Sequence, residues 1–134
     1  MAVPRWFLGA AFTLLVASSG CGGGPCRGSE NRMVPLSEFP CAETTASGGW
    51  TSHPFPPVTE ECQWLNFQGC SEYTFENPLG RKPQQIDPYI AFEPDGVFST
   101  LASGNVFVID SVTESEIVIR NAQNADFYLR LAVE

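Results

Sequence analysis

His53 is the only histidine in the sequence, and so the only side chain whose ordinary titration falls near neutral pH. To work as a general base it needs a nucleophile beside it and a carboxylate to orient it. Its Ser-His-Pro setting puts it in a stiff loop, where an exposed histidine without catalytic duty is expected. Carboxylates cluster at Glu60-Glu61 and at Glu114/Glu116, in arrangements that solvate loops; no Asp-x-Asp-x-Asp-Gly calcium loop accompanies them. Glu93 and Asp95 flank a turn, where an aspartate serves by bonding its own backbone. No glycine-rich phosphate loop opens onto a helix. Four cysteines, Cys26, Cys41, Cys62 and Cys70, are spaced 15, 21 and 8 apart, without the Cys-x-x-Cys of redox or zinc sites. The chemistry they suit is disulfide formation. Of the three pairings open to them, Cys62–Cys70 with Cys26–Cys41 is preferred. These residues lead to an expectation of no catalytic residue, no metal and no cofactor, and of a protein that is not an enzyme.

A fifth cysteine, Cys21, has a different setting. An apolar run from Trp6 to Ala17 follows Arg5 and ends in Ser18-Ser19-Gly20-Cys21, then Gly22-Gly23-Gly24. Twelve residues are too few for a hydrocarbon core that needs about 20, so the run is laid out as an export signal. Gly20-Cys21, with Ser19 before it, resembles the lipobox of bacterial lipoproteins, although Ser18 stands where that motif places Leu, Val or Ile. The resemblance implies acylation of Cys21, removal of residues 1–20 and anchoring in the cell envelope, in the outer membrane or at a periplasmic face. Residues 21–25 would then be a glycine-rich tether. Ala17-Ser18-Ser19 also fits a small-residue cleavage site that would release a secreted protein beginning at Gly20. Cysteine parity favours lipid, because an exported chain with five cysteines pairs completely only when Cys21 is set aside.

Beyond the signal, residues 26–134 amount to one domain. Fifteen acidic residues face seven basic ones, and Arg5 leaves with the signal. Arg81-Lys82 is the only adjacent basic pair, too little to neutralise a phosphate backbone, so nucleic acid is not an expected partner. Contact with a membrane should come through the N-terminal lipid.

The elements that must position these residues fall into two parts. Residues 26–60 hold neither the helical nor the strand period: prolines at 35, 40, 54, 56 and 57 and Gly48-Gly49 interrupt them. A short helical turn is predicted at Pro35–Phe39 and an extended proline-fixed segment at His53–Pro57. From Cys62 on, short extended runs alternate with turns. Cys62–Phe67 and Ser71–Phe75 flank a predicted hairpin tip at Gln68-Gly69, and Tyr89–Glu93 and Val97–Leu101 flank Pro94-Asp95-Gly96. Val106–Asp110, Glu116–Arg120 and Phe127–Val133 follow. Ile90 and Phe92 should share a face. Val106–Asp110 should be buried on both sides. Phe127, Leu129, Leu131 and Val133 form the longest apolar stripe, with Tyr128 and Arg130 opposite. The spacing predicts an all-β fold, a small antiparallel meander forming a sandwich or a partly closed barrel, with an irregular disulfide-stapled N-terminal part.

Phe92-x-x-Asp95-Gly96-x-Phe98, followed by a Gly-Asn turn and an apolar strand, is similar to hairpins of small lipocalin-like and META-type domains of envelope proteins. Gly48-Gly49-Trp50 can be set beside the lipocalin G-x-W. That likeness implies one functional alternative, a small barrel carrying an apolar ligand. The other, favoured by the residues themselves, is a tethered binding or structural module with an envelope protein or a glycan as partner. Aromatics concentrate between positions 50 and 75. Trp50 and Phe55 lie in the least regular stretch, which makes them the candidate binding anchors.

Overall fold

A computed structural model describes Cys26 and residues 30–134. The predicted signal, Cys21 and the tether at 21–25 lie outside the described residues. In chain order the strands are β1 (Glu30–Val34), β2 (Glu43–Thr44), β3 (Trp50–Thr51), β4 (Leu65–Phe67), β5 (Ser71–Glu76), β6 (Ile86–Ala91), β7 (Thr100–Leu101), β8 (Val108–Val112), β9 (Glu116–Asn121) and β10 (Phe127–Val133), with 3-10 turns at Leu36–Glu38, Glu60–Cys62 and Gly104–Val106. They form two sheets. The first has the order β1-β5-β9-β8; the second runs β2-β3-β10-β6-β7, with β4 also pairing β10. The fold is all-β, as predicted, and its sheets do not close into a barrel.

β10 anchors the second sheet because it pairs along both edges. Its residues Tyr128 to Val133 run antiparallel to β6, while β4 and β3 share its other edge. Phe127, Leu129, Leu131 and Val133 turn inward as the period-2 pattern predicts, and meet Tyr73, Phe75, Ile117 and Ile119 of the first sheet. The predicted helical turn is the 3-10 turn at Leu36–Glu38, which ends at Phe39. Phe39 is buried and stacks on Phe75.

Several expectations are corrected. Gln68-Gly69 is not a hairpin tip: β4 lies in the second sheet and β5 in the first, so Gln68–Cys70 crosses between sheets. Tyr73 fixes that crossing, its hydroxyl accepting from the Gln68 amide at 2.9 Å and donating to the Asn66 carbonyl at 3.0 Å. A Cβ on Gly69 would stand 2.8 Å from the Ala125 nitrogen, which accounts for glycine at this close approach. The disulfides are Cys26–Cys70 and Cys41–Cys62, not Cys62–Cys70 and Cys26–Cys41. Parallel pairing of β1 with β5, starting at Glu30 opposite Ser71, brings Cys26 to Cys70 with Cα atoms 5.0 Å apart. Sequence proximity is overruled by strand topology. β6 ends at Ala91, so Phe92 leaves the sheet and does not share the buried face of Ile90. Phe107 is buried just after a 3-10 turn, whereas Ile109 is exposed, because β8 is an edge strand with one face open to solvent.

Candidate functional site

The richest polar and aromatic cluster lies where the chain leaves β3. Thr51 pairs with Ala132, and at the next position the ladder is completed partly by a side chain. The Ser52 amide donates to the Leu131 carbonyl at 2.8 Å, and the Ser52 Oγ accepts from the Leu131 amide at 2.8 Å. A hydroxyl thus takes the place of a backbone acceptor, and the backbone is free to turn out of the sheet. The next two carbonyls tie the departing segment down. That of His53 accepts from Arg130 Nε at 2.7 Å, and that of Pro54 accepts from Trp64 Nε1 at 3.1 Å. Gly96 makes room for the indole: a Cβ there would fall 2.5 Å from Trp64 Cε2.

Phe55 is thereby laid across the outer face of the second sheet. The Arg130 Cζ lies 3.8 Å from its ring centroid and 5.4 Å from that of Tyr89, the cross-strand partner of Arg130. Phe55 meets Tyr89 edge-on at 5.0 Å and Trp64 at 6.3 Å. Arg130 is only 7% exposed, while Phe55, its cover, is 48% exposed. Among the described residues no carboxylate pairs with this guanidinium, and Nε makes its one hydrogen bond, to a neutral carbonyl. Burial pushes its pKa down, with the Tyr89 hydroxyl and Glu43 opposing. A buried cation without a counter-ion is costly, and the aromatic faces offset part of that cost.

His53 is not the exposed loop residue expected from its proline context. It is 3% exposed, meets Phe39 edge-on at 5.4 Å and bonds Ser52 Oγ through Nδ1 at 2.8 Å. Burial first, and then the charge on Arg130, lower its pKa to about 4. The imidazole is therefore neutral at pH 7. The adjacent serine and histidine form a hydroxyl–imidazole pair, but both are buried and the hydroxyl is committed to the Leu131 amide. What this arrangement does chemically is lock the 52–55 segment to β10.

The two aromatic candidates separate. Trp50, in β3, is half-buried and packs edge-on against Phe39 at 5.4 Å, as part of the core wall. Phe55 stands over Arg130, and no ring contact joins it to Trp50. Cys26, Cys41, Cys62 and Cys70 are consumed as bridges; Cys21 lies outside the described residues. Glu60 and Glu61 line an open surface recess with Thr59, and Glu116 borders an apolar groove with Met33, Val34, Pro35, Glu76 and Ser115. Among the described residues no group of three or more His, Cys, Asp or Glu side chains is gathered to hold a metal ion. Sequence reasoning gives neither Arg130 nor Tyr89 a place in a site. The one available signal was an arginine inside the most apolar strand.

No family model matches this chain, nor does any curated protein or solved structure. Fold and site together define a disulfide-stapled domain of two β-sheets that presents an aromatic-covered arginine on one outer face.

Proposed function

We propose that the protein is a lipid-anchored domain of the bacterial cell envelope that acts by binding, with the Phe55–Arg130–Tyr89 face as its recognition surface. One observation carries the reading: a guanidinium with no carboxylate partner among the described residues lies beneath a half-exposed phenyl ring. Apolar anchors framing a charged group are what recognition surfaces use. The half-exposed Phe55 ring is the surface a partner would pack on, and the positive charge beneath it favours an acidic group nearby, on an envelope protein or a glycan. The anchor half of the proposal rests on Cys21 and its lipobox-like setting. The ligand-carrying barrel gains no such support, because the two sheets do not close on each other and a cluster of buried apolar side chains packs between them.

Both halves can be tested in the native host. The intact mass of the mature protein should exceed that of residues 21–134 by a lipid increment; a mature N-terminus at Gly20 would remove the anchor. A photo-crosslinking phenylalanine analogue placed at position 55 should give a discrete adduct in intact envelopes. The same analogue at Ser111, exposed on β8 of the other sheet, should not. Identical adducts from the two positions would rule out the Phe55 face as the recognition surface.

A further inference from the structure

A second apolar surface lies at one end of the molecule. Past Ala91 the chain opens into the loop 92–99 and returns as β7, with Thr100 opposite Ile90. Phe98, 96% exposed, and Phe92, 78% exposed, stand on this loop with Val97 between them. The loop is braced: the Val97 amide donates to Asp95 Oδ1 at 3.0 Å, and the Trp64 amide donates to the Pro94 carbonyl at 2.8 Å. Phe98 also sits at φ +56, in the left-handed region that phenylalanine rarely enters. Two phenyl rings are thus held in water at a loop tip, where a polar residue would be cheaper.

The chain's own connections say what this end faces. β10 starts at Phe127, paired with Phe67 on one side; on the other, Tyr128 pairs with Ala91. Just beyond Phe67 comes Cys70, which carries Cys26. Just beyond Ala91 comes Phe92, its ring 5.5 Å from that of Phe127. The disulfide therefore delivers the N-terminal segment to the same end of the second sheet as the exposed rings. From Cys26 to Cys21 is five residues, which span at most about 18 Å when fully extended. Lys82, by contrast, lies in the loop that leads from β5 into the start of β6, at the far end of β10, where Ile86 pairs with Val133. That end is roughly 20 Å away, the length of β10 at about 3.4 Å per residue.

Resting on the lipid-anchor reading, we infer that this end of the domain faces the bilayer that holds Cys21, with Phe92, Val97 and Phe98 seated in its interfacial layer. Amphipathic and aromatic groups favour that layer, and a short tether makes the encounter intramolecular. Glu93, Asp95 and Asp126 are exposed around the same end, so the contact is apolar and anionic lipid opposes it.

The test uses the full lipidated protein, reconstituted in phosphatidylcholine vesicles, with an environment-sensitive NBD fluorophore on Val97→Cys or, separately, on Lys82→Cys. NBD at position 97 should shift to the blue and be quenched by nitroxide-labelled lipid; at position 82 it should stay in water. Adding Phe98→Ser, fully exposed and so without packing to lose, or Phe92→Ser with Phe98→Ser, should cut the quenching at 97, the double change by roughly tenfold. Replacing much of the phosphatidylcholine with phosphatidylglycerol at low salt should reduce it as well. If the mass confirms the lipid but NBD at 97 reports water, the orientation is wrong and the rings belong to a protein contact. If the mature protein carries no lipid, the anchor reading fails and this inference falls with it.

Discussion

Burying His53 beside a cation makes the protein's stability depend on pH in a defined window. The free imidazole takes up its proton near 6.5, but in the folded protein burial and Arg130 delay that to about 4. Between those values the unfolded chain binds more protons than the folded one, so stability falls as the pH drops from 6.5 to 4 and is fully lost from this source below 4. The shift corresponds to about 3 kcal/mol. Asp110 acts in a different range. The Arg120 hydrogen bond holds its carboxyl below the usual 3.8, so its contribution disappears only at more acid pH. Urea unfolding at pH 7 and at pH 4 should therefore show a drop for the native protein that shrinks in His53→Gln, even though that variant begins less stable. A drop of unchanged size in His53→Gln would mean that other groups carry the acid sensitivity.

At the level of elements, β10 is the strand most exposed to mutational test. Leu129 and Leu131 are wholly buried between the sheets, so Leu129→Ala or Leu131→Ala should lower the stability measured by denaturant unfolding by roughly 2–5 kcal/mol. Tyr128 is only half-buried on the outer face, so Tyr128→Ala should cost less. Equal losses at 128 and 129 would contradict the assigned faces. β9 and β10 were legible in the sequence because each keeps one alternating apolar stripe from end to end. β1 was not: Glu30-Asn31-Arg32-Met33-Val34 shows no alternation, since four of its five positions are exposed and its place is set by parallel pairing with β5. The site was legible by half. Phe55 stood out as an aromatic in an irregular stretch, but Arg130 lies at an outward position of β10 and is buried only because the 52–55 segment folds over it. A long-range cover of that kind leaves no local trace.

For the whole molecule, the two disulfides close different kinds of loop. Cys26–Cys70 spans 44 residues and Cys41–Cys62 spans 21. On the chain-entropy model these contribute about 4 and about 3 kcal/mol. Trypsin cuts after Arg32, between Cys26 and Cys41, and chymotrypsin after Trp64 and Phe67, between Cys62 and Cys70, so non-reduced peptide mapping with both should recover the 26–70 and 41–62 linkages directly. The longer bridge also has a local duty. β1 is an edge strand held by one parallel partner, and Cys26 lies just ahead of its start. Replacing Cys26 and Cys70 together by serine should lower the melting temperature by roughly ten degrees. It should also speed amide hydrogen exchange in β1 more than in β9 or β10, because the strand then opens without the rest of the sheet. Replacing Cys41 and Cys62 should leave β1 protection close to its native level relative to β9. Were β1 and β9 to lose protection in step when Cys26–Cys70 is removed, the bridge would be stabilising the domain as a whole and not pinning its first strand.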